Sequence, residues 1–274
     1  MIFAATPIQM AFGMWGLAIT EVILLSCAVI PALICRWNFK EVFPVKKPGI
    51  RAVLGTLILW FGSYIAVLVI SIILAFLFPK GMADTSQGIA DVLNSTPLFL
   101  TLGIAAVMPA VCEEALHRGL ILFTFQNVKR KWVTMIVMGL IFGLFHLDPY
   151  RFLTTAVLGL ILTYIMIRTD NLLLPMLFHL INNASSVLIS SAAAVLPQND
   201  AAPTPGVSLA VIGAYLFISA LVPLLFLWGS GMLQDKAFVK SLPGRKKARF
   251  TAVVLCIMLA GFGVGLSAAA GALI

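Results

Sequence analysis

Eight stretches of this chain, near residues 10–35, 52–78, 98–125, 132–148, 150–167, 171–196, 207–233 and 250–272, are apolar over lengths that cross a bilayer's hydrocarbon core of about 30 Å as helices. In lipid every backbone N–H and C=O must find its partner inside the protein, so such runs fold as helices. Composition agrees: 61% of residues are hydrophobic and only 10% charged, where a soluble globule carries about 25% charged. The expected fold is all-α, a polytopic integral membrane protein of about eight transmembrane helices forming a single domain over 1–274.

The net charge of +8 could suggest nucleic acid as a partner, but the basic residues alternate with the loops. The loops after helices one, three, five and seven hold fifteen Lys and Arg, against two, Lys80 and Arg151, in the loops between. By the positive-inside rule, Arg36 to Arg51, Lys129 to Lys131 and Lys236 to Arg249 face the cytoplasm and both termini lie outside. Anionic lipid headgroups are the expected partners of these clusters, and no nucleic acid is expected. Cys27, Cys35, Cys112 and Cys256 lie in or at the ends of apolar runs without metal-type spacing and read as small core hydrophobes. No Lys or Arg occurs in the first nine residues, so the first helix is expected to be retained rather than cleaved as a signal peptide. The polar stretches 79–97 and 197–206 read as loops, the latter exposed.

Against this background two adjacent glutamates, Glu113 and Glu114, and an arginine, Arg118, lie within the third apolar run. Such groups cost about 2.5–3.5 kcal/mol each at bilayer depth, and they usually face a protein interior or wet cavity where they serve function. Helical periodicity stacks Glu114 over Arg118 and Glu113 over His117. The first stripe is a self-contained ion pair, which could serve packing alone. The second leaves a carboxylate without a fixed cation. Pro109, one turn earlier, frees the Ala105 carbonyl and invites a kink or a trapped water.

All three histidines lie in the third, fourth and sixth helices. The fourth carries Phe142 and His146 on one face, with Gly139 and Gly143 spaced to admit a neighbouring backbone. Glu113 lies 16 residues before Lys129 and His146 lies 15 after Lys131, so in a hairpin the two meet about 22–24 Å along the helix axes. His146 then stands one residue before a short extracytoplasmic turn at Asp148 to Arg151. The sixth helix stacks His179 over Asn183, two donors on one face that suit a developing oxyanion. Hydrogen bonding between helices is the competing structural role for these polar residues, and it fits Asn182 best.

Together the three helices offer a carboxylate, two imidazoles and a carboxamide. A buried Glu113 can act as general base on water, with His146 sharing or orienting the proton and His179 and Asn183 stabilising the tetrahedral oxygen. No cofactor is needed for this, although Glu113, His146 and His179 would also make a three-ligand zinc site. The His-Glu-x-x-His helix of zinc proteases is absent.

These segments resemble the signature of the CPBP family, intramembrane endopeptidases that include the eukaryotic CAAX prenyl endopeptidase and bacterial proteins linked to bacteriocin processing and self-immunity. Its Glu-Glu-x-x-x-Arg motif matches Glu113, Glu114 and Arg118, its Phe-x-x-x-His motif Phe142 and His146, and its His-x-x-x-Asn motif His179 and Asn183. The match covers roughly 95–190, which the resemblance makes the catalytic core. It implies proteolysis near the membrane by glutamate-activated water, with Glu113, His146, His179 and Asn183 carrying the reaction and Glu114 and Arg118 in support. The expected substrate is a peptide or membrane protein, and the expected location is the bacterial cytoplasmic membrane. CAAX-processing members open to the cytoplasm, so with His146 beside an outward turn either the site opens outward or laterally here, or the central helices are irregular, or the charge rule misleads. The alternatives are a peptide-binding or bacteriocin-immunity protein of the same fold, and a proton-coupled transporter, for which the chain lacks internally repeated halves.

Overall fold

The computed structural model describes residues 2–196, 207–233 and 245–271. The polar stretch 197–206 and the basic residues between 236 and 244 lie outside the described residues. In chain order the helices are α1 (Ile2–Ile34), α2 (Phe39–Val42), α3 (Ile50–Leu77), α4 (Pro79–Leu93), α5 (Leu98–Thr124), α6 (Lys131–Phe145), α7 (Pro149–Thr169), α8 (Leu173–Val195), α9 (Leu209–Ser219), α10 (Val222–Met232) and α11 (Arg245–Gly271). No strand occurs among the described residues. Each expected apolar run is helical, α9 and α10 together forming one of them. Among the described residues, seven helical stretches are long and apolar enough to cross a membrane, and α6, with 15 residues, is the short eighth. The stretch 79–97, read as loop, is mostly the helix α4, whose i,i+4 pairs Lys80–Asp84 and Gln87–Asp91 sustain it.

The helices fall into two compact units, residues 1–48 with 86–197, and residues 49–85 with 198–274. The motif block lies wholly in the first. There α1 runs parallel to α5: Met14 packs with Ile104 and Ala105, and Leu24 and Ala28 pack with Cys112, Ala115 and Leu116. Gly13 breaks α1 with φ 53°, a conformation that strains any side-chain-bearing residue.

Helices α6 and α7 form a tight hairpin, and glycines set its closeness. A Cβ at Gly139 would lie 2.7 Å from the Ala156 carbonyl oxygen, and one at Gly143 2.8 Å from that of Phe152. The turn between them is built by Asp148, whose carboxylate accepts from the Tyr150 and Arg151 amides, with Pro149 opening α7. At 1.5 Å per residue, α6 spans about 22 Å. That is shorter than the roughly 30 Å of a bilayer's hydrocarbon core.

In the second unit α3 packs on α10, and α9 on α11. Gly55 and Gly229 face each other so closely that a Cβ on Gly229 would lie 3.0 Å from the Gly55 carbonyl oxygen. Large apolar side chains such as Trp15, Phe61, Phe99 and Trp228 are exposed on the helices of both units, as lipid-facing surfaces require.

Candidate active site

Helix α5 carries the first motif, and it is not a regular α-helix. Residues Gly103–Val107 and Ala115–Ile121 are π-helical turns flanking Met108–Glu114. The first precedes Pro109 and is closed by the Met108 amide donating to the Gly103 carbonyl, so the interruption expected at this proline is met by widening the helix. Such π-turns cluster at functional sites because they re-aim the side chains beyond them.

Glu114 and Arg118 are both fully buried, and their side chains join at 2.8 Å. The same Glu114 oxygen, Oε1, lies 2.8 Å from His179 Nδ1 of α8. Sequence makes the Glu114–Arg118 pair self-contained; the structure makes it the hub that ties α5 to α8. The second guanidinium nitrogen of Arg118 donates to the Gly159 carbonyl of α7 at 2.8 Å. A carboxylate only accepts, so His179 donates through Nδ1–H, which orients the ring and leaves Nε2 uncommitted.

Phe142 of α6 is the platform under this network. The Arg118 guanidinium carbon lies 4.5 Å above its ring centre. The rings of His117, His146 and His179 meet it edge-on at 5.0, 5.0 and 5.8 Å. His146 is held by its Nδ1–H donating to the Phe142 carbonyl, and His117 likewise to the Glu113 carbonyl, both at 2.9 Å. The Phe-x-x-x-His spacing thus serves two purposes, presenting the ring and anchoring the imidazole one turn later.

Glu113 is half-buried, its Oε2 has no hydrogen-bond partner, and its side chain makes no direct bond to another site residue. It lies within electrostatic range of His179, Arg118 and Arg151. Asn183 Oδ1 accepts from the neighbouring Asn182 amide at 3.3 Å, and no bond joins it to His179. The structure therefore brings Glu114, Arg118, Phe142, His146 and His179 into one contact chain, and sets Glu113 and Asn183 beside it. The zinc set weighed from sequence does not assemble: among the described residues, no three His, Cys, Asp or Glu side chains come close enough to hold a metal ion.

Three residues enter that sequence reasoning did not assign to the site. Gly159 receives Arg118, and its lack of a Cβ lets Phe142 approach, because an added Cβ would lie 2.6 Å from that of Phe142. Glu21 of α1 is 1% exposed, has an unpartnered Oε2, and lies within electrostatic range of Glu113. Its apolar neighbourhood in α1 was the available signal. Arg151, read as a loop residue, lies within electrostatic range of both Glu113 and His146.

Glu114 is ten residues from the Thr124 end of α5 and sixteen from the Leu98 end, and His179 is six from the start of α8. The Glu114–His179 contact thus sits nearer the ends that carry the basic loops.

Two sequence comparisons bear on the block that holds this buried Glu–Arg–His cluster. Residues 94–185, about a third of the chain, match the family model of Rce1-like type II CAAX prenyl endopeptidases, and this block contains every motif residue named above. A Bacillus subtilis (strain 168) protein named "Putative membrane peptidase YdiL" is 24% identical over 185 residues, which cover 65% of this chain and 72% of that protein. No solved structure matches the chain.

Proposed function

We propose that this protein is an endopeptidase that cuts a peptide bond within or near the membrane by glutamate-activated water. The observation that carries the reading is the bridge from Arg118 through Glu114 to His179, beside a second glutamate, Glu113, that has no bonded partner. A structural ion pair needs one acid; the second is free for chemistry.

In this reading Glu113 takes a proton from water as the oxygen adds to the scissile carbonyl carbon. The oxyanion so formed is stabilised by the Nε2–H of His179, as an imidazolium whose Nδ1–H is held by Glu114, and by the Asn183 amide. His146, anchored on Phe142, helps return the proton to the departing amine as the C–N bond breaks. Arg118 keeps Glu114 in place as acceptor rather than as base. The substrate is a peptide or membrane protein. In the bacterial cytoplasmic membrane the basic loops would meet anionic headgroups on the cytoplasmic side, with both termini outside.

The test is reconstitution of the purified full chain in liposomes with candidate membrane peptides, with and without chelator. Cleavage that survives the chelator supports the reading. Specific peptide binding without cleavage would favour the immunity-type alternative.

A further inference from the structure

Helices α5 and α8, which meet through the Glu114–His179 bond, are joined a second time nearer their basic-loop ends, by a strap of chain that follows α1. Val42 of the strap is 1% exposed, and Phe43 packs on the apolar cluster that α1 and α5 share. The Phe43 ring lies on Gly119, the residue after Arg118: a Cβ on Gly119 would stand 2.6 Å from two of its ring carbons. Trp37 adds a ring contact with Phe123 at 5.2 Å. The strap is thus wedged against the end of α5 that follows the Glu114–Arg118 pair.

The turn between α7 and α8 holds the strap's other side. The Leu172 amide donates to the Pro44 carbonyl at 2.7 Å. Asn171 adds both halves of its carboxamide: Oδ1 accepts from the Lys46 amide at 3.2 Å, and Nδ2 donates to the Lys46 carbonyl at 2.7 Å. The same Oδ1 accepts from the amide of Leu173, the first residue of α8, at 3.2 Å. Asn171 is 4% exposed, so water has little access to replace these partners. The Lys46 ammonium also pairs with Asp170, but at the exposed surface, where such a pair contributes little. One side chain therefore ties the strap to the start of α8.

The start of α8 matters to the site because His179 follows six residues later, about 9 Å along the axis. His179 reaches Glu114 through one bond of 2.8 Å, which a shift of the helix by about 1 Å would stretch beyond hydrogen-bond range. We infer that Asn171 is a positioning residue: by clamping the strap that Phe43 wedges on α5, it fixes the start of α8 so that His179 meets Glu114. Its effect on turnover rests on the peptidase reading. Its coupling to the Glu114–His179 contact does not, so the two can fail separately.

Two measurements on the full-length protein test this. In detergent, the thermal midpoints of wild type, Asn171→Ala, His179→Ala and the double variant form a cycle. His179→Ala should lower the midpoint by about 5 °C in the wild-type background, because it removes a hydrogen bond to a buried carboxylate, and by less than half as much once Asn171 is alanine. In liposomes, with a peptide that the wild type cuts, Asn171→Ala should lower kcat by about 10²-fold with KM within about twofold. Lys46→Ala keeps the backbone partners of Asn171 and should retain the wild-type kcat. If Asn171→Ala does not fold, Phe43→Leu, which loosens the strap's other side, takes its place in both measurements with the same expectations. An equal or larger loss from His179→Ala in the Asn171→Ala background overturns the positioning of His179, whether or not the protein cleaves peptides. A wild-type kcat in folded Asn171→Ala overturns it as well.

Discussion

Replacing Gly159 by alanine tests whether the aromatic platform positions the site. An alanine Cβ would stand 2.6 Å from the Phe142 Cβ and 3.1 Å from its Cγ and Cδ1. Ordinary contact begins at 3.4 Å, so Phe142 must retreat by about 0.8 Å. Neither partner is a flexible chain end, since both lie on the packed faces of the α6–α7 hairpin. Overpacking of this kind costs about 1–3 kcal/mol of stability. The larger effect should be on turnover. Phe142 lies under Arg118 and touches the rings of His146 and His179, and a displacement of about 1 Å at a reacting group can cost 10²-fold in rate. The assay is cleavage of a peptide that the wild-type protein cuts, run alongside a thermal midpoint. We expect Gly159→Ala to stay folded and to lose about 10²-fold in kcat. Gly261→Ala, where nothing lies within 4 Å of the added carbon, should match wild type. Full activity in folded Gly159→Ala would refute the positioning role of Phe142.

Glu114→Gln removes the charge that meets both Arg118 and His179. Because it leaves a guanidinium buried without its counter-ion, it should cost about 3–5 kcal/mol of stability, read as a lower thermal midpoint. His179→Ala should lower kcat by about 10²–10³-fold, with little change in KM, if His179 acts on the developing oxyanion. Arg151→Leu should reduce turnover, since Arg151 lies within electrostatic range of Glu113 and His146; an unchanged rate would remove it from the site. Lys46→Ala breaks an exposed pair with Asp170 and should shift stability by less than about 1 kcal/mol.

The helices were legible in sequence because lipid imposes one rule on every run, and the observed ends of α3, α5 and α8 fall within two residues of the apolar boundaries. The shortness of α6 was not, since Leu147 and the apolar residues around His146 continue the run while Asp148 caps the next helix. At the site, spacing within one helix was readable: Glu114 does stack on Arg118, and Gly139 and Gly143 do admit a neighbouring backbone. Partnerships between helices were not, because no periodicity says which face of α8 meets α5. Periodicity stacks His179 over Asn183 on one face of α8, and it says nothing of the hydrogen bond that His179 gives Glu114 of α5. Gly159 escaped notice for the same reason, because its contribution is a carbonyl and an absent methyl.

The most direct measurement compares wild type and Glu113→Gln in liposomes on a peptide that the wild type cleaves, with the thermal midpoint of each variant in hand. If Glu113 is the base that activates water, the folded variant should lose about 10²–10⁴-fold in kcat. A folded Glu113→Gln protein that cleaves at the wild-type rate would contradict the account.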